Sequence, residues 1–271
     1  MSPENPKPRG RLFLLPVPLS TDEAALDTLS PGLIRTACHL SHFLVENPKT
    51  ARHFLKRMGH PQPMADLHLD TLSIQTPRES WPSFLAPLLA GQDVGLLSEA
   101  GCPAIADPGS GIVHLAHQSG IRVIPLTGPS SLLLALMASG LEGQRFAFHG
   151  YLPLEEMARV AEIQRLERES ARWQQTQLVI ETPYRNTSLW SALCQGLHPE
   201  TRLTLARDLT GPDEWIKTTT VALWRDMTTP ELQRIPTVFL WLATPAPPSQ
   251  LSSRPVRNRL SSRGKGDSKL R

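Results

Sequence analysis

Short apolar runs alternate with amphipathic segments along the first half of the chain. The runs predict buried β-strands at residues 11–15, 42–46, 93–97 and 122–126. Helical periodicity separates them at residues 21–29, 48–58, 79–89 and 110–119. Strands that alternate with helices predict a parallel sheet of right-handed βαβ units. We therefore expect an N-terminal α/β domain over residues 11–126.

The pattern changes in the second half of the chain. An apolar helix is predicted at residues 132–138 and a long polar helix at residues 154–173. Closely spaced strands follow at residues 177–181, 202–207, 215–219 and 237–242. Such spacing favours a mixed or antiparallel sheet. We expect a C-terminal α/β domain over residues 127–245, a flexible N-terminus over residues 1–10 and a disordered basic tail over residues 246–271.

Two loops rich in glycine and proline are candidates for ligand binding. One follows the strand at 93–97 and extends from Ser98 to Gly109. The other, Thr127 to Ser131, follows the strand at 122–126, and its Pro129 suits the first turn of the next helix. Parallel strands direct both loops to one sheet edge, where open α/β sheets bind ligands. An ordinary loop that binds nothing uses the same residue types.

Four segments, in this order, resemble the tetrapyrrole methylase superfamily of S-adenosylmethionine-dependent methyltransferases. They are SEAGCPAIADPG, PLTGPSSLLLALMASGL, FAFHGYLP and ETPYRN. Within the superfamily, the chain is most similar to the branch that methylates a cytidine ribose 2′-oxygen of 16S ribosomal RNA. The likeness covers residues 12–242. It implies that S-adenosylmethionine binds in a cleft between two α/β domains, that the protein is a homodimer, and that its partner is RNA or the small ribosomal subunit.

The resemblance also implies site residues. It assigns cofactor binding to Pro16, Ser98, Glu99, Ala100, Gly101, Cys102, Ile105, Gly128, Pro129, Ser130, Ser131 and Tyr151. Its catalytic candidates are Glu46, His149 and Arg185. A histidine has a reference pKa of about 6.5, which suits a general base, and an arginine suits phosphate. Glu99 and Asp107 are alternatively helix caps. No metal site is expected.

One departure from the resembled branch bears on the substrate. The branch typically has Glu-Asp-Thr-Arg where this chain has Glu46, Asn47, Pro48 and Lys49. Asparagine cannot act as a base, and lysine cannot form a bidentate phosphate clamp. A sister group with another acceptor therefore stays open, as does a factor that binds S-adenosylmethionine and RNA without catalysis.

A tetrapyrrole-like small molecule is a further possible acceptor. Cobalamin-pathway members usually have a glycine-rich loop after the first strand, whereas this chain has Pro16, Val17, Pro18 and Leu19. That difference favours RNA over the small molecule.

The charge distribution and the cysteines refine these expectations. The net charge of +3 divides into +6 for residues 248–271 and −3 for the rest. The basic tail either binds RNA phosphates or has no function beyond solubility. No apolar run is long enough to span a bilayer. Three cysteines, far apart in the sequence, fit no metal or disulfide pattern and indicate a reducing cytoplasm.

Overall fold

The computed structural model describes residues 8–245, so the predicted basic tail and residues 1–7 lie outside the described part. Its strands are β1 (Arg11–Leu15), β2 (His42–Val45), β3 (His68–Thr71), β4 (Val94–Leu97), β5 (Arg122–Pro125), β6 (Phe146–Phe148), β7 (Thr176–Ile180), β8 (Arg202–Arg207), β9 (Trp215–Thr220) and β10 (Thr237–Leu242). Its α-helices are α1 (Pro31–Cys38), α2 (Pro48–Arg57), α3 (Ala86–Leu89), α4 (Ser110–Gln118), α5 (Ser131–Ser139), α6 (Glu156–Trp173), α7 (Asn186–Gly196) and α8 (Val221–Asp226).

The first sheet is parallel throughout and has the strand order β3-β2-β4-β1-β5. Its central strands are apolar on both faces because helices cover both. Leu33 of α1 and Leu55 of α2 pack on one face. Leu88 of α3 and Ile112 of α4 pack on the other. Parallel pairing places the carboxyl ends of β1, β2 and β4 at one edge of the sheet.

The second sheet is mixed, with the order β6-β7-β10-β8-β9. Strands β6 and β7 are parallel, whereas the other pairs are antiparallel. Leu136 of α5 packs on one face, and Ile163 of α6 with Leu189 of α7 packs on the other. The predicted fold class, α/β with a parallel first sheet and a mixed second sheet, is confirmed.

The two sheets meet where the chain leaves the first one. Residues 126–130 connect β5 to α5, which packs against β8, β9 and β10 of the second sheet. Leu19, which follows β1, also packs on the apolar cluster beneath α5. The carboxyl edge of the first sheet therefore faces the second sheet across a cleft.

Several local predictions were wrong about the type of a helix or the residue at which it begins. The segment predicted as a helix at 21–29 is a 3₁₀-helix, Glu23–Thr28. The predicted helix at 79–89 is a 3₁₀-helix, Arg78–Leu85, followed by α3, because Pro82 has no N–H for an α-helical hydrogen bond. Pro129 precedes α5 rather than lying in its first turn, since Ser130 is the N-cap.

The prediction that Asp107 caps the helix at 110–119 was also wrong. Gly109 is the N-cap of α4, and no side chain makes a capping hydrogen bond there. The sequence patterns also missed α1, β3, α7 and α8, which are short or have weak periodicity. Between residues 8 and 245, no helix has the length and apolar character needed to cross a membrane.

Gly95 is a point of close packing in the first sheet. It lies in buried β4, and a Cβ added there would lie 2.5 Å from Leu15 Cδ1 and 2.7 Å from Phe43 Cδ1. We expect Gly95→Ala to lower the free energy of unfolding by about 1–3 kcal/mol through overpacking, as measured by urea unfolding. Gly143→Ala is the control, because no heavy atom lies within 4 Å of its added Cβ. Equal stability of the two variants would contradict this packing.

Candidate active site

The wall of the cleft begins with two loops joined by backbone hydrogen bonds. Val17, just after β1, and Gly101, in the loop after β4, form an antiparallel bridge with N···O distances of 2.9 and 3.0 Å. The buried hydroxyl of Ser98 donates to the Gly101 carbonyl oxygen at 2.8 Å. These bonds fix the loop after β4 against the end of β1.

A third loop, after β5, packs against the same wall. A Cβ on Gly128 would lie 2.4 Å from Pro16 Cβ, so only glycine allows these backbones to approach so closely. The thiol of Cys102 lies 3.4 Å from the carbonyl oxygen of Pro129. Burial raises the pKa of that thiol, which keeps it protonated and makes it a packing and donor group rather than a nucleophile.

The loop after β4 has strained backbone. Ala104 and Ala106 have φ values of 65° and 61°, in the left-handed region that disfavours side chains. Gly101 and Gly109, at 74° and 133°, adopt positive φ without that penalty. Non-glycine residues in this region are concentrated at ligand clamps and active sites. The strained backbone of this loop therefore agrees with the expectation that the loop binds a ligand.

Two adjoining cavities lie between this wall and the second sheet, with volumes of about 130 and 260 Å³. Both contact Ala100, Ser131, Tyr151 and Ile180. The predicted cofactor residues that line the smaller cavity are Ala100, Gly101, Cys102, Ile105, Ser130, Ser131 and Tyr151. The other five predicted residues are not among those lining either cavity: Pro16, Ser98, Glu99, Gly128 and Pro129.

The N-terminus of α5 opens into the smaller cavity. Ser130 is its N-cap, yet the Ser130 hydroxyl makes no capping hydrogen bond within the described residues. The first N–H groups of a helix have no partner inside the helix and carry partial positive charge. This end of the cavity can therefore donate hydrogen bonds to an anionic or carbonyl group of a ligand.

Three carboxylates come together at the carboxyl edge of the first sheet. Burial, and then the charges of Glu46 and Glu99, raise the pKa of Asp107 to about 6. Burial and the charge of Glu99 also raise the pKa of Glu46. The hydroxyl of Thr50, in α2, donates to Glu99 at 2.7 Å and ties the helix to this cluster. The cluster favours a cation or a shared proton.

A tyrosine and an ion pair form the opposite side of the cleft. Burial, and then the negative charges of Asp107 and Glu181, raise the pKa of Tyr151. Arg185 Nη2 donates to Glu181 Oε1 at 2.6 Å, and that carboxylate is buried. Arg185 is therefore the counter-ion of a buried acid, and part of its charge is already compensated.

The structure places His149 away from the cavities. Its Nε2 lies 2.6 Å from Oε1 of the fully buried Gln177. Along β7, Gln177 faces the α6 side of the sheet, whereas Ile180 faces the cavities. None of the three predicted catalytic residues lines either cavity. Glu46 lies near Asp107 and Arg185 pairs with Glu181, and both of these partners line a cavity, whereas Gln177, the partner of His149, lines neither.

Sequence reasoning missed three groups that the structure adds to the site. Asp107 was considered only as a helix cap, although an acid between two glycine and proline turns in a ligand loop could have identified it. Glu181 lay within a quoted segment without a role. Thr50 left no sequence signal, because its contact with Glu99 depends on how α2 packs.

Comparison with known proteins agrees with this architecture. The family model of tetrapyrrole (corrin/porphyrin) methylases matches residues 44–223. The methyltransferase CobJ has a TM-score of 0.59 at 18% identity, and cobalt precorrin-4 methyltransferase CbiF has 0.55 at 16%. Each likeness covers 86% of this chain and 94% of the solved one. At such identities the likeness concerns the fold alone.

Curated relatives are named "Ribosomal RNA small subunit methyltransferase I". The one from Pseudomonas aeruginosa is 31% identical over 217 residues, which is 80% of this chain and 72% of the relative. The one from Mesorhizobium japonicum is 33% identical over 74% of this chain and 63% of the relative. The one from Synechocystis is 33% identical over 69% and 57%.

The family model thus matches more than half of the sequence, and the structure shows the corresponding fold and cleft. This chain belongs to the tetrapyrrole (corrin/porphyrin) methylase family of S-adenosylmethionine-dependent methyltransferases.

Proposed function

We propose that this protein transfers a methyl group from S-adenosylmethionine to ribosomal RNA, at a ribose 2′-oxygen. The observation that carries the RNA assignment is a basic helix face that begins beside the carboxylate cluster of the cleft. The names of the relatives from Pseudomonas and Mesorhizobium support the same acceptor. The matched part of the chain spans less than two thirds of the length of several relatives. The assignment therefore rests on the site as well as on sequence similarity.

The residues of the cleft suit S-adenosylmethionine. The free N–H groups and the hydroxyls at Ser130 and Ser131 fit its polar ends, and the carboxylates of Glu46 and Asp107 fit its positive sulfonium. The two adjoining cavities together reach the roughly 300–1,000 Å³ typical of ligand sites. When bound, the cofactor supplies a methyl group that its sulfonium has already activated.

The remaining task of the protein is to orient a hydroxyl and take its proton. A pKa of about 6 allows Asp107 to be ionised at neutral pH while it remains a usable base. Glu46 lies beside it and has a raised pKa as well. We assign the proton-accepting role to these carboxylates rather than to His149. Tyr151, which borders both cavities, would orient the acceptor.

Helix α2 provides the surface for RNA phosphates. Lys49, Arg52, His53 and Lys56 are exposed at the i, i+3, i+4 and i+7 spacing of one helix face. Between residues 8 and 245, none of these four side chains forms an ion pair. The Thr50–Glu99 hydrogen bond anchors the first turn of α2 at the cleft. An RNA strand whose phosphates bind along this face would place a ribose beside the carboxylates.

A homodimer in the cytoplasm is part of the proposal. Leu133 and Met137, one turn apart on α5, are 52% and 78% exposed, which is unusual for large apolar side chains at neighbouring positions. A second copy of the chain would cover them. The three free cysteines are consistent with a reducing compartment.

The proposed reaction can be tested with tritiated S-adenosylmethionine. The purified protein is incubated with 30S subunits, naked 16S ribosomal RNA and a small-molecule extract, each from cells that lack this protein. We expect label in RNA, and nuclease mapping to place it on a ribose. Label confined to the extract would favour a tetrapyrrole-like acceptor. Cofactor binding by calorimetry without transfer to any pool would favour a non-catalytic factor.

The basic face of α2 can be tested by removing three of its charges. We expect the triple variant Lys49→Ala, Arg52→Ala and Lys56→Ala to weaken binding of 16S ribosomal RNA. The slope of log K against log salt should fall in magnitude by about 2, because each lost single-strand phosphate contact contributes roughly 0.7. Affinity for S-adenosylmethionine should not change.

The matched control removes three exposed arginines elsewhere, Arg122, Arg168 and Arg172. If this control loses as much affinity and slope as the α2 variant, the attraction is non-specific and α2 is not the docking surface.

Cofactor affinity should depend on the ionisation of Asp107. With its pKa at about 6, the carboxyl is protonated at pH 5 and charged at pH 7.5. We expect calorimetry to show S-adenosylmethionine binding about fivefold tighter at pH 7.5, and Asp107→Asn to remove most of that gain. Asp66→Asn, at an exposed turn, should behave as wild type. A pH profile unaffected by Asp107→Asn would place the sulfonium elsewhere.

A further inference from the structure

Two histidines and an aspartate meet at the sheet edge opposite the cleft. His42 and His68 are the first residues of β2 and β3 and are paired in register. Asp70 lies two residues further along β3 and therefore points to the same face. His42 Nε2 lies 2.8 Å from Asp70 Oδ2, and His68 Nε2 lies 3.2 Å from Asp70 Oδ1.

The spacing of these donor atoms matches a coordination sphere. One ligand atom from each residue lies within 4.8 Å of the others. Ligands about 2.0–2.1 Å from a zinc ion are about 3.4 Å apart in a tetrahedron. The two nitrogen–oxygen separations here, 2.8 and 3.2 Å, are somewhat shorter, so the side chains would move apart slightly to admit an ion. The two imidazole rings are edge to face with centroids 4.3 Å apart. Their Nε2 atoms contact the two oxygens of the same carboxylate.

Hydrogen bonding alone accounts for only part of this arrangement. The side chain of His42 is 6% exposed and needs a partner, which Asp70 provides. The side chain of His68 is 65% exposed, so water could satisfy it, yet it too converges on the carboxylate. A single cation would bind both imidazole nitrogens and the carboxylate, and would leave an open side for water.

We propose that His42, His68 and Asp70 form a binding site for a divalent transition-metal ion of the zinc class. Imidazole nitrogen with carboxylate oxygen is a donor set that suits such ions better than magnesium or calcium. Among residues 8–245, strand β3 is an edge strand that pairs with β2 alone, so the ion would hold it to the sheet. Glu46 follows His42 by four residues, about 13 Å along the strand direction, which separates this site from the cleft.

Zinc binding to the full chain tests the proposal. After treatment with chelator and dialysis, Zn²⁺ is added and followed by calorimetry and by metal analysis of the desalted protein. We expect one bound zinc per chain and an increase in Tm of about 5 °C or more at saturating zinc. Absence of binding by the wild-type chain would overturn the proposal.

Two variants separate this site from chance binding by other histidines. We expect His68→Ala to weaken zinc binding by at least about 100-fold and to abolish the increase in Tm, while the partly buried His42–Asp70 contact remains. Asp70→Asn should do the same, because the amide keeps an acceptor for His42 but loses the charge. His117→Ala removes an exposed histidine on α4 and should bind as wild type.

The outcome does not depend on the reaction proposed above. Both variants should retain cofactor affinity and methyl transfer, because neither residue lines the cleft. Unchanged zinc affinity in His68→Ala would overturn the site even if methyl transfer is confirmed.

Discussion

The backbone bridge between Val17 and Gly101 is the contact on which the cleft depends. It joins the chain after β1 to the loop after β4, so two loops far apart in sequence form one surface. The close packing of Gly128 on Pro16 adds the loop after β5 to the same surface. Without these contacts, each loop would be free to move, and ordering them on ligand binding would cost conformational entropy. The site is therefore preorganised by main-chain atoms, which also explains why several predicted cofactor residues lie behind the wall rather than on it.

The acidic cluster at the carboxyl edge of the first sheet lowers the stability of the fold. Asp107 is held beside two other acids in a partly buried loop, so its charged form is disfavoured and its pKa is raised. The neighbouring alanines at positive φ add strain to the same loop. Both features lower the free energy of unfolding, and the packing of the surrounding sheets compensates for this loss. The same features give a carboxyl group whose pKa is about 6 and a negative electrostatic field beside the cavities.

The two edges of the parallel sheet have different chemistry for one geometric reason. Parallel pairing puts all carboxyl ends at one edge and all amino ends at the other. Glu46, just after β2, therefore lies at the cleft end of the sheet near Asp107, whereas His42, the first residue of β2, lies at the far edge beside His68 and Asp70. Helix α2 starts at the cleft edge, where Asn47 follows Glu46 as its N-cap, and its basic face extends away from the acidic cluster. The basic face of α2 and the acidic groups beside the cavities thus lie side by side without neutralising each other.

The sequence by itself determined the alternation of strands and helices, the division into a parallel and a mixed sheet, and the two loops at the sheet edge. These follow from local periodicity and from glycine and proline positions, which act over a few residues. Only the tertiary structure decided which side chains share a space. His149 and Ile180 are close to the same strand pair but lie on opposite faces, while Asp107 and Glu46, 61 residues apart, influence each other's protonation. The convergence of His42 with His68 likewise depends on strand register. Such contacts arise from packing between distant segments, and no local pattern of residues encodes them.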